Sequence, residues 1–70
     1  MTEFTYLIGY ACNAQIGGVL LTGRHVHVTN HPILNKKDIE EIEEIIESDN
    51  PDLCNVCVFS ISLLSTKEVN

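Results

Sequence analysis

Positive charge is what this chain has least of. Four Lys and Arg residues stand against ten Asp and Glu in 70 residues, a formal charge of −6. A surface of that sign repels nucleic-acid phosphates and anionic lipid and attracts basic patches on other proteins, which argues against direct nucleic-acid binding. Long apolar runs are missing too. Nothing approaches the roughly 20 apolar residues of a membrane-spanning helix, and the opening MTEFTYLIGYA carries an acid where an export signal carries positive charge. We expect no membrane association and a cytoplasmic location. Cysteine is sparse and odd in number, three residues, which fits reduced thiols better than a disulfide framework. The G-x-x-x-x-G-K pattern is absent, so Gly17-Gly18 is no phosphate loop. Internal repeats, low-complexity segments and long linkers are absent as well, leaving one domain over 1–70.

A single domain of this size buries only about 60% of the surface its unfolded chain exposes. Hydrophobic residues nevertheless make up 44% of the chain, more than one small core needs. Some apolar surface is therefore expected to be shared with a second copy, as a homo-oligomer.

What is present organises itself by period. Over 3–11, Phe4, Tyr6, Ile8 and Tyr10 alternate with Thr5, Leu7, Gly9 and Ala11, which predicts a strand with one bulky and one small face. The small face would let a helix approach closely. Asn13 to Gly18 reads as a turn, and a second strand follows over 19–29, with a bulge or bend expected at Gly23. Asn30, His31 and Pro32 end it. Asn35 is a good N-cap, with Asp38 three residues on approximating a capping box. Ile39, Ile42, Ile45 and Ile46 then fall on one stripe of a helix over about 36–48, which Asn50-Pro51 stops. A last strand over 55–64 sets Cys57, Phe59, Ile61 and Leu63 against Val56, Val58, Ser60 and Ser62, and 66–70 reads as a polar tail.

The order is strand, strand, helix, strand. A right-handed crossover through the helix would place the third strand beside the first. The expected fold is α+β, ββαβ, a three-stranded antiparallel sheet of order 2-1-3 with one amphipathic acidic helix on one face. The other face would stay uncovered, and Phe4, Tyr6, Ile8 and Tyr10 are the candidate seam for self-association.

Four constellations could carry function. Eight of the ten acids lie between Asp38 and Asp52; Glu40, Glu41 and Glu44 point away from the isoleucine stripe and Glu43 and Glu47 flank them. Glu40 with Glu44, and Glu43 with Glu47, are like-charge pairs four residues apart, each costing about 0.2–0.5 kcal/mol. Glu47 and Asp49 sit at the negative end of the helix dipole, and only Lys36 and Lys37, facing Glu40 and Glu41, offset the acids. Such a face is either solvated decoration or a docking surface for a basic protein partner.

Tyr6, Tyr10, Arg24, His25 and His27 form a second set, with aromatic faces for a base and cations for a phosphate, and a homo-oligomer that brought two such sets together would suit a small nucleotide. The third is Cys54-Asn55-Val56-Cys57, a C-x-x-C that could share a zinc ion with His25 and His27. It lacks the glycine-bearing turn of a zinc knuckle, and strand alternation would separate the two thiols, so no metal or cofactor is expected. A redox role would require the first cysteine at a helix N-terminus, where a strand follows instead. In the fourth, Cys12 with a histidine could imitate a nucleophile pair, yet no orienting third group or oxyanion loop accompanies it. We therefore expect binding, without catalysis.

The series FTYLIGYA, a glycine-bearing turn with HVHVT, NKKDIEEIEEIIES and NVCVFSISLL resembles small accessory proteins encoded by bacteriophages and other mobile elements. The likeness covers most of the chain and lies in length, element order and the acid-isoleucine helix. The resemblance implies an antagonist of bacterial immunity, anti-CRISPR-like in type and acting in the host cytoplasm. It would either block a host defence protein through that protein's basic surface or sequester a nucleotide signal.

Overall fold

The computed structural model describes residues 1–69. Strand β1 (Thr2–Ala14) and strand β2 (Leu20–Thr29) form a hairpin, helix α1 (Lys36–Asp49) follows, and strand β3 (Leu53–Glu68) returns antiparallel to the other edge of β1. The sheet order is β2-β1-β3, as the crossover rule predicts. The hairpin turns where Gly17 and Gly18 take φ of 85° and 64°, conformations that cost glycine nothing. The Asn13 amide clips that turn by donating to the Gly18 carbonyl at 3.2 Å.

Helix α1 starts and stops on its own side chains. Asn35 Oδ1 accepts from the Asp38 N–H at 3.1 Å, and Asp38 Oδ2 accepts from the Leu34 N–H at 3.0 Å, so the box closes one residue before the cap. At the other end Asn50 Nδ2 donates to the Ile46 carbonyl at 2.8 Å, and the Asn50 N–H reaches Glu47 O at 3.3 Å. The chain then turns at Pro51 into β3.

The helix covers the bulky face of β1, not the small one. Ile42 and Ile46 pack on Tyr6, Ile8, Tyr10 and Cys12, joined by Val56 and flanked by Phe4, Ile33, Leu53, Val58 and Ile61. Burial decides this, because the aromatic face offers far more apolar area than Leu7, Gly9 and Ala11 could. The proposed seam of Phe4, Tyr6, Ile8 and Tyr10 is therefore wrong as an intermolecular surface. Tyr6 and Tyr10 are 7% and 8% exposed, Ile8 is fully buried, and half-buried Phe4 stacks on Tyr6 with ring centroids 6.5 Å apart.

Two glycines serve close approach. Gly23 continues the β1–β2 register opposite Tyr10 with no bulge; a Cβ there would stand 2.6 Å from the Tyr10 hydroxyl, so the small residue makes room for the phenol. The register shifts fall in the β1–β3 pairing instead. One of them carries Asn55 in the left-handed region at φ 54°, and another inserts Phe59, whose ring lies over Gly9 on the uncovered face. The inserted residue resets the alternation of β3: Val56, Val58 and Ile61 join the core while Phe59 leaves it. The polar end is not a tail either. Thr66, Lys67 and Glu68 pair with Phe4, Glu3 and Thr2, and Thr2 Oγ1 donates to Glu68 at 2.5 Å. Position 70 lies outside the described residues.

Candidate functional site

Directly opposite residues of an antiparallel pair share a face. The register therefore divides the molecule into a helix side, with His25, His27, Gly23 and Leu21 of β2, and an open side, with Arg24, Val26, Val28 and Thr22. The alternation in burial along β2 agrees, positions 23, 25, 27 and 29 being half-buried and 24, 26 and 28 exposed.

The acidic face lies on the helix side and splits into two groups by what the side chains touch. Glu43 Oε2 accepts from the Val58 N–H at 2.8 Å and Glu47 Oε2 accepts from the Val56 N–H at 3.4 Å. These two carboxylates satisfy backbone donors on the outer edge of β3, and so shield that stretch of an otherwise open edge strand. They belong to the fold, a role helical periodicity alone does not reveal. Glu40, Glu41 and Glu44 point to solvent. Of these, Glu40 has an i,i+4 partner in Lys36 at 3.8 Å, between exposed side chains where such pairs contribute little. Lys37 forms no ion pair with Glu41 among the described residues.

A groove of about 170 Å³ runs between β2 and α1, bringing His27 and His31 near Asp38 and Glu41 above Ile42 and Ile45. The rings of His25 and His27 lie 5.9 Å apart, tilted by 39°. Desolvation holds His27 below its ordinary value of 6.5, and the neighbouring His25 and His31 push in the same direction.

The proposed nucleotide set does not assemble. Tyr6 and Tyr10 are core residues, and the Tyr6 hydroxyl accepts from the Ile33 N–H at 3.1 Å to pin the β2–α1 connection, so neither ring is free to stack a base. Arg24 sits on the opposite face from His25 and His27. The zinc set fails for a related reason, since His25 and His27 belong to β2 and Cys54 and Cys57 to β3, with β1 between them. Two strand spacings, about 10 Å, separate them. Among the described residues no group of three or more His, Cys, Asp or Glu side chains could hold a metal ion.

The thiols nonetheless correct the sequence reading. Cys54 and Cys57 lie opposite Asn13 and Ala11, two positions of the same face, because the residue added at Asn55 takes up the odd spacing. Cys12 is buried in the core, and all three cysteines are free. No helix among the described residues is long and apolar enough to cross a membrane.

The open face has its own depression of about 470 Å³, floored by Gly9 and Leu7 and flanked by Arg24 and Thr22 on one side and Phe59 and Ser60 on the other. No family model, curated protein or solved structure matches the chain.

Proposed function

We propose that this is a non-catalytic binding protein that docks Glu40, Glu41 and Glu44 of α1 on a basic surface of a protein partner. The observation that carries the reading is the division of labour along the helix. Glu43 and Glu47 have structural employment at the β3 edge, whereas Glu40, Glu41 and Glu44 satisfy no backbone group among the described residues. Glu40 and Glu44 repel one another four residues apart, so their placement is explained by something outside the chain better than by the fold. The resemblance to mobile-element accessory proteins points to the class of partner, a bacterial antiviral defence protein whose basic surface handles nucleic acid. An acidic helix there would occupy the place of a phosphate backbone, with an association that weakens as salt rises.

The test is a triple charge reversal, Glu40→Lys, Glu41→Lys and Glu44→Lys, with far-UV circular dichroism as the check on folding. The wild-type protein is expected to relieve a bacterial host's antiviral defence and to co-purify at low salt with a defence component that high salt releases. The triple variant should do neither. A folded triple variant with full activity would overturn the reading.

A further inference from the structure

We infer that the open sheet face is the self-association surface of this protein, closing face to face on a second copy. Three observations select a second copy as its occupant. The first is charge. The acids of α1 all stand on the helix side, while the open face carries Arg24 and, at one end, Glu3 set opposite Lys67. A helix-to-helix dimer would bring two acid blocks together; an open-face dimer keeps them at opposite poles.

The second is size. The molecule measures 46 × 18 × 18 Å, so its long sheet face offers about the 800 Å² that each partner of a standard protein interface buries. That face is apolar and uncovered where it matters: Phe59 is 64% exposed, Val26 57% and Val28 53%.

The third is self-complementarity. Arg24 on β2 and Phe59 on β3 stand at the same level on either side of Gly9, which Arg24 directly opposes and which the Phe59 ring overlies. A two-fold axis parallel to β1 above Gly9 lays the partner's β2 over β3. Arg24 of each copy then meets the Phe59 ring of the other, giving two reciprocal cation–π contacts in a dry interface. The flat Gly9 floor leaves space for the two phenyl rings between sheets about 10 Å apart. Arg24 has no ion pair among the described residues, so docking breaks no existing one.

Sedimentation velocity and light scattering on the full chain at micromolar concentration test this, with folding checked by circular dichroism. The wild type should sediment as a dimer. Phe59→Asp should weaken it by about a hundredfold and Arg24→Glu by about tenfold; Val26→Lys, on the open face opposite Leu7, keeps the test valid if Phe59→Asp fails to fold. Glu44→Lys should leave the dimer intact, which separates this surface from the docking helix. A monomeric wild type at a few hundred micromolar, a dimer indifferent to the open-face variants, or one dissolved by Glu44→Lys would each overturn the inference.

Discussion

Gly23 of β2 lies against the phenol of Tyr10 on β1, so close that a methyl group at 23 would stand 2.6 Å from the hydroxyl oxygen and 2.7 Å from the carbon that bears it. The Tyr10 ring cannot move away without leaving the core that α1 closes over. Gly23→Ala should therefore destabilise the fold by about 1–3 kcal/mol, the usual cost of overpacking. Urea denaturation would show this as a lower midpoint with an unchanged slope.

The two kinds of helix carboxylate should respond oppositely to truncation. Glu43→Ala removes the acceptor of the partly buried Val58 N–H on the outer edge of β3, a loss of about 0.5–1.5 kcal/mol. Glu44→Ala relieves repulsion with Glu40 and should be neutral or stabilising by about 0.2–0.5 kcal/mol. The same denaturation series measures both, and equal effects would mean that the Glu43 bond contributes nothing.

His27 gives the fold a pH dependence of definite sign. Its folded pKa lies below the ordinary 6.5, so the unfolded chain binds this proton first, and stability rises with pH in the window between the two values. The contribution is fully present above about 6.5 and is lost as pH falls to the lowered folded value. Thermal melts between neutral and mildly acidic pH should show this decline in the wild type. His27→Gln should flatten it, with Asp38, Glu41 and His31 unchanged around the groove and His25 unchanged beside it.

Asn55 holds a left-handed backbone conformation at the bulge, and its amide donates to Asn13 Oδ1 at 3.3 Å. Asn55→Gly should preserve stability within a few tenths of a kcal/mol, since glycine prefers such a conformation. Asn55→Ala should cost about 1–2 kcal/mol. Comparing the two by thermal melting separates the backbone requirement from the side-chain bond.

Element order, the helix and the sheet topology were legible because each rests on a local or chain-wide rule. The isoleucine stripe sets the helix, Asn35 and Asn50 bound it, and crossover handedness orders the strands. The choice of sheet face was not legible, because alternation shows that two faces differ without showing which one a distant helix buries. That single ambiguity moved Tyr6 and Tyr10 from candidate contacts into the core. It also left Phe59, Val26 and Val28 exposed on the uncovered face in place of Phe4, Tyr6, Ile8 and Tyr10. The β3 bulges were hidden for a different reason: an inserted residue shows itself only against the partner strand, and nothing in VCVFSISLL announces that Phe59 is the extra one. Among the acids, outward direction was readable from the helix wheel, but the duty of Glu43 and Glu47 depended on where β3 passes.

The 16-residue strand β3 pairs with β1 across nearly the whole sequence, up to Glu68 opposite Thr2. During synthesis the central strand therefore emerges before either the helix that covers it or the strand that completes its second edge. Without β3, Tyr6, Ile8 and Tyr10 would sit on a two-stranded hairpin with one side of β1 unpaired. Such a hairpin is marginal in water. Any state in which β3 has not yet paired therefore exposes apolar surface and an unpaired strand edge to aggregation.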